Sequence, residues 1–235
     1  MMTLTAHQPA YLPWLGYFDK LVHSDLFIYL DTVQYEKNSF TNRNRIKGPQ
    51  GEIMLTVPVF TKGHTSETMR TTRIDNRFDW RKKHLNSIYV NYKKAPYFEE
   101  NFVKLESLYD EQEELLANFC LNQLTFWLKE LGFSKTQIIR SSTLDIDTKK
   151  SDLVFDLCSH FKADHYISGA LGKDYLDEDK FVSAGICIEY QDYHYPVYSQ
   201  LWGDFKPFMS ILDFWMNSKE FNLIVNGKND QFTSE

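Results

Sequence analysis

The opening stretch, Met1 to Asp31, constrains the fold most. Thr3-Leu4-Thr5 reads as a short strand, and Leu15, Phe18, Leu21 and Val22 follow at helical spacing. Asp25-Leu26-Phe27-Ile28-Tyr29-Leu30-Asp31 is then a nearly continuous apolar run rich in aromatic and β-branched residues. That composition suits a strand covered on both faces of a parallel sheet. The chain therefore opens as strand, helix, strand. Helix and strand signals keep alternating further on, which predicts an α/β fold with a mainly parallel sheet and flanking helices.

Between the first strand and its helix lies Ala6 to Phe18, which crowds His7, Gln8, Pro9, Pro13, Gly16, Tyr11 and Trp14 into one turn. Packing alone rarely needs that mixture. The corner where a strand enters a helix is where open α/β sheets place their chemistry. Just past the second strand, Gln34 to Lys47 carries cations and amides in a stretch that reads as a loop, at the carboxyl end where the ligand crevice belongs.

The opening His7-Gln8-Pro9-x-Tyr11-Leu12-Pro13-Trp14-x-Gly16-Tyr17-Phe18-x-Lys20, the Asp31-x-x-Gln34-Tyr35 step and the Asn42-Arg43-Asn44-Arg45-Ile46-Lys47 close resemble the WbqC-like family of bacterial proteins. Tyr166-Ile167-Ser168-Gly169, Tyr175-Leu176, Phe181, Gly185-Ile186, Tyr198-Ser199-Gln200 and Ser210-Ile211-Leu212-Asp213 also fit its pattern. Phe214 to Lys219 departs from the more apolar, glycine-containing stretch expected there. The resemblance implies a place in O-antigen or other surface-polysaccharide synthesis, and it names a pathway rather than a reaction.

Composition bounds the remaining choices. With 235 residues, 43% of them hydrophobic, the chain can bury a substantial core. A single domain over 1–225 is expected, with a polar, frayed tail over 226–235. No apolar run approaches the roughly 18 residues of a membrane span, and the N-terminus lacks a signal-peptide layout, so a cytoplasmic protein without membrane insertion is expected. Cys120, Cys158 and Cys187 stand far apart, which fits reduced thiols. No paired-histidine or HExxH spacing occurs, so no structural zinc site is expected, and the sequence leaves any cofactor unknown. Cys158 and His160 are close, yet nothing marks a nucleophile–base pair, and His64, His84, His165 and His194 are scattered.

Charge is uneven. Residues 1–100 hold 14 Lys/Arg against 10 Asp/Glu, and the remainder 12 against 22. A positive N-terminal portion favours an anionic small molecule such as a nucleotide sugar, and overall acidity argues against nucleic acid.

Further along, Ile53 to Val59 reads as a strand edged by Pro58 and closed by Gly63. Trp80, His84, Ile88 and Tyr92 mark a helix that ends at Ala95-Pro96. Residues 98–132 read as one or two helices stopped by Gly132; Ile138-Ile139 and Tyr166 to Ser168 read as strands, with a helix from Ser151 to Phe161 between them.

His7 is the candidate acid–base group, since imidazole titrates near neutrality. Gln8 would contact substrate, and Tyr11 and Trp14 would stack on a ring or simply pack. Asp31, at a strand end, suits a metal, hydroxyl or ribose contact, or else a cap on the following turn. Arg43 and Arg45, together with Lys47, are the anion candidates, while Asn42, Asn44, Gln34 and Tyr35 would orient substrate. As a strand, this stretch would put Arg43 and Arg45 on one face and Asn42 and Asn44 on the other. Ser168-Gly169-Ala170-Leu171-Gly172-Lys173 resembles a short phosphate-cradling turn, although an ordinary turn needs no ligand; Ser168, Gly169 and Lys173 are its binding candidates. The expected activity is transfer of a group to, or modification of, a nucleotide-activated sugar, the amine of an amino sugar being one acceptor. A nucleotidyltransferase built on a HIGH-like turn and a non-catalytic nucleotide-sugar-binding scaffold are the alternatives.

Overall fold

The protein is described by a computed structural model over residues 1–60, 67–110 and 112–225. Gly63, His64 and the tail from Asn226 lie outside the described residues. β1 (Thr3–His7), α1 (Leu15–Val22) and β2 (Leu26–Tyr29) form the expected opening unit. With β5 (Gln137–Arg140), β6 (His165–Ser168) and β7 (Cys187–Tyr190) they build a five-stranded parallel sheet in the order β5-β2-β1-β6-β7. The chain winds outward from β1 to β5, then returns to add β6 and β7 on the other side. The winding direction therefore switches between β1 and β6.

Both faces of the sheet are covered, as the apolar run in β2 requires. Phe27 and Tyr29 point to a layer with Leu15, Phe18 and Leu21 of α1 and most of the helical core. Leu26 and Ile28, with Leu4 and Ala6, point to a second layer. It contains Leu153 and Leu157 of α5 (Lys150–Phe161) and Phe181 of α6 (Glu178–Ser183). Alternating residues thus serve opposite cores, so no position in β2 is free to be polar.

The helical part follows its sequence signals closely. α2 (Trp80–Tyr92) buries Trp80, His84, Ile88 and Tyr92. Residues 98–132 are two helices, α3 (Phe98–Tyr109) and α4 (Leu116–Leu131), the second closed by Gly132 at φ +73°. The loop expected at Arg43–Lys47 is corrected: Arg43–Gly48 is strand β3, paired antiparallel with β4 (Gly51–Thr56) in a hairpin outside the main sheet. Burial alternates along its start, with Asn44 and Ile46 inside and Arg43 and Arg45 half exposed.

After β7 the chain runs without helix or strand to α7 (Ile211–Asn217), all of whose residues are buried, and then to α8 (Asn222–Val225). Polar clasps hold this long segment. The Asp213 carboxylate accepts from Tyr92 Oη, Tyr198 Oη and Gln200 Nε2, each at 2.7 Å. Lys47 Nζ donates to Gln200 Oε1 at 3.1 Å. Burial raises the Asp213 pKa while these donors oppose the rise. Asp213→Ala would leave two hydroxyls and an amide without their acceptor. It should cost about 3 kcal/mol or more, read as a lowered midpoint in urea unfolding.

Candidate functional site

The register of β1 shows where the sheet opens. Pairing with β2 continues to His7↔Tyr29, whereas pairing with β6 stops at Thr5↔Ile167. The two strands part at the switch point, with His7 and Gln8 on one lip and Ser168 and Gly169 on the other; an open α/β sheet places its ligand crevice at such a point.

His7 Nδ1 lies 2.9 Å from Gln8 O. A carbonyl only accepts, so Nδ1 carries the hydrogen and Nε2 keeps a lone pair. The ring is wedged edge-on between Trp14, at 5.3 Å between centroids, and Tyr17, at 4.8 Å. Burial, reinforced by the nearby Lys20 charge, pushes the His7 pKa down to about 3. At neutral pH the imidazole is uncharged.

The turn that presents His7 is held under strain. Leu12 sits at φ +45°, a left-handed conformation that non-glycine residues rarely adopt. Gln123 Oε1 accepts from Leu12 N at 3.2 Å, and Asn44 Nδ2 donates to Leu12 O at 2.6 Å. Next, Pro13 O accepts from Ile211 N at 2.8 Å, and Trp14 bridges Ser210. Asn44 is thus a clasp on the motif turn. Asn42 is similarly occupied, its amide donating to Val57 O at 2.8 Å.

Several other sequence candidates are also committed to the protein itself. Tyr11 is fully buried and hydrogen-bonded to His84 Nδ1 and the Tyr109 hydroxyl, inside the helical core. Asp31, fully buried, accepts from Arg140 Nε, Ser141 Oγ, Ser142 N and Ser142 Oγ, which closes the ends of β2 and β5 together. Arg43 donates to Asn38, and Arg45 pairs with Glu52 at 3.1 Å beneath the Phe40 ring. Gln34 bridges Thr68, and Tyr35 N donates to Glu67 O. Tyr35, Asn42 and Arg43 line a small recess of about 220 Å³ with Lys37. It stands apart from the His7 crevice, as does Lys47.

Across the crevice, Ser168 is buried and its Oγ donates to Gly169 O. Residues 170–174 form a 3-10 turn. Gly172 is required there, because an added Cβ would fall 1.9 Å from Ser168 Oγ. Lys173 Nζ lies over the Tyr190 ring at 5.4 Å.

Two crevice residues carried no role in the sequence reading. Gln191 Nε2 donates to Gly16 O and Asp19 Oδ2, while its N donates to Ser168 O, joining α1 to the end of β6. Lys20 lies on α1 with 3% of its surface exposed, its Nζ donating to Ala6 O at 3.1 Å. Its signal was a place four residues after Gly16, on the helix face that packs inward. Above Gly16 there is no opening for a phosphate, since an added Cβ would meet the Tyr193 ring at 2.9 Å.

A larger recess of about 800 Å³ lies between α2 and α3, lined in part by Arg77, Arg81, Lys82, Tyr89 and Phe102. Size alone favours it. The crevice is the better candidate because it gathers an uncharged His and a buried Lys, whereas Arg77 in the recess is already paired with Asp75. Among the described residues no group of three or more His, Cys, Asp or Glu could hold a metal, and no helix is long and apolar enough to cross a membrane.

A model of the WbqC-like protein family matches residues 8–223. The chain belongs to that family. An uncharacterized protein of Mycobacterium tuberculosis, Rv1507c, is 38% identical over 215 residues, covering 89% of this chain and 91% of its own. No solved structure matches. The family match takes in Lys20, both lips of the crevice beyond His7, and the Asp213 clasp.

Burial brings the Lys20 pKa down from 10.5 to about 7. Below pH 7 the ammonium is present in folded and unfolded chains alike, and the folded state bears the full desolvation cost. Between about pH 7 and 10.5 the folded lysine has lost its proton and the unfolded one retains it, so stability rises with pH across that window. Lys20→Met removes this pH dependence but leaves Ala6 O without its donor, so its stability relative to wild type should be highest at pH 6–7, where it escapes a desolvation cost of up to a few kcal/mol at about 1.4 kcal/mol per pKa unit. That relative advantage should shrink toward pH 10 in thermal scans, until only the cost of the lost hydrogen bond is left.

Proposed function

We propose that this WbqC-like protein is a transferase of bacterial surface-polysaccharide synthesis that modifies a nucleotide-activated amino sugar in the crevice between β1 and β6. The observation that carries this reading is His7: an uncharged imidazole with a bare Nε2, at the carboxyl end of the central strand, where the winding direction switches. The pathway comes from the family resemblance, and the anionic substrate from the positive N-terminal portion of the chain.

In this reading His7 Nε2 accepts the proton from the amine or hydroxyl of the acceptor as that group attacks the electrophilic carbon of an activated acyl or aminoacyl donor; the donor's bond to its leaving group breaks, and the leaving group departs with the electron pair and takes up the proton from His7 or from water. The Nδ1–H to Gln8 O bond fixes the tautomer, and the edges of Trp14 and Tyr17 fix the ring. The developing imidazolium is disfavoured by burial and by the Lys20 charge. A phosphate close by would favour it and raise the His7 pKa toward a useful range. Gln8 and Trp14 form one side of the substrate site, and Ser168, Gly169 and Lys173 the other.

The test pairs nucleotide sugars with acyl, aminoacyl and other activated donors and follows product by mass spectrometry. His7→Ala should lower turnover by roughly 100-fold or more with Tm and circular dichroism near wild type. Binding of a nucleotide sugar with no product from any pairing would instead favour a non-catalytic carrier. Unchanged turnover in His7→Ala would remove the residue from its role.

A further inference from the structure

Lys20 is the anomaly that the proposed chemistry leaves over. Buried lysines ordinarily lie against a carboxylate, because an uncompensated ammonium is expensive to bury. Among the described residues, no carboxylate lies within ion-pairing distance of Lys20 Nζ, and its one hydrogen bond goes to a backbone carbonyl. The neighbouring Asp19 carboxylate is engaged by Gln191 and His23.

The position of that carbonyl locates the ammonium. Thr3 O and His7 O accept from Asp25 N and Leu30 N, on the β2 side of β1. Met2 O accepts from Asp164 N, on the β6 side. Successive residues of a strand point to alternate sides, so Ala6 O points toward β6. Regular pairing would bring Gly169 N to it. By then β6 has turned away into the 3-10 turn, and Lys20 takes the carbonyl instead. The ammonium therefore sits in the wedge where the strands part, behind His7, with donors to spare.

The cations that the sequence put forward are otherwise engaged. Arg43 is bound to Asn38, Arg45 to Glu52, Lys47 to Gln200 and Asp204 O, and Lys173 lies against Tyr190. We infer that Lys20 is the counter-ion for a phosphate group of the ligand, which enters the wedge between β1 and β6 and completes an ion pair that the protein leaves open. The inference rests on the reading of this crevice as the ligand site, and it supplies the anion contact that reading lacked. Its burial then has a use: a desolvated ammonium binds phosphate more strongly than a solvated one.

The probes are pyrophosphate and UDP, titrated calorimetrically at pH 7 into wild type, Lys20→Met and Lys20→Arg, with the His7 ring signals followed by NMR. Wild type should bind and shift His7. Lys20→Met should stay folded by circular dichroism and lose affinity on the order of 30-fold, as expected for a charge-assisted contact. Lys20→Arg should recover part of it. Equal affinity in Lys20→Met would overturn the Lys20 assignment while leaving the crevice reading intact. Binding that leaves His7 unmoved and is lost in Arg81→Ala/Lys82→Ala would put the anion in the α2–α3 recess and overturn it as well. A wild type that binds neither probe would sink both the assignment and the anionic-substrate reading. Binding through Lys20 without turnover of any sugar would support the assignment and count against the transferase reading alone.

Discussion

Everything at the crevice depends on one backbone event, the loss of β6 as a partner for the last residues of β1. A buried carbonyl left without a donor costs as much as a broken hydrogen bond. The strands can separate only because a side chain reaches Ala6 O from α1. The donor that repairs the ladder is charged, so the repair itself introduces an unbalanced charge. Backbone satisfaction and local charge are thus set by the same atom. In the proposed reading, a destabilising group is kept at the ligand site, a usual trade between stability and function.

The elements that follow hydrophobic periodicity were readable in the chain. β2 was legible because both sheet faces are covered, α2 because its buried stripe falls at four-residue steps, and the end of α4 because Gly132 takes a left-handed cap. β3 was not, and the reason is specific. Its inward positions include Asn44, preceded by buried Asn42, and their amides satisfy Val57 O and Leu12 O. An amide turned inward to hold a backbone carbonyl looks, by composition, like a solvated loop.

The same blindness applies to the site. Sequence reasoning placed His7 at a strand-to-helix corner and expected the chemistry there, and it placed the anion contacts on the most conspicuous cations. Conspicuous cations are mostly already answered: Arg45 by Glu52, Arg43 by Asn38. Lys20 is buried with no carboxylate partner among the described residues, and any apolar periodicity scores it as a polar interruption of α1 although the helix buries it. Tyr11 and Asp31 show the converse, motif residues whose side chains brace the fold rather than face the crevice.

The clasp around Asp213 has a consequence in time. The motif turn near residue 13 leans on Ile211, Arg45 O accepts from Ser210 N, and Tyr92 from α2 closes on the same carboxylate. β1 itself waits for β6, more than 150 positions downstream. Such long-range closures are slow. During synthesis the N-terminal unit emerges early, but its His-bearing turn can lock only after Ser210 and Ile211 have left the ribosome. A chain stalled before that point would carry the motif without the contacts that hold it.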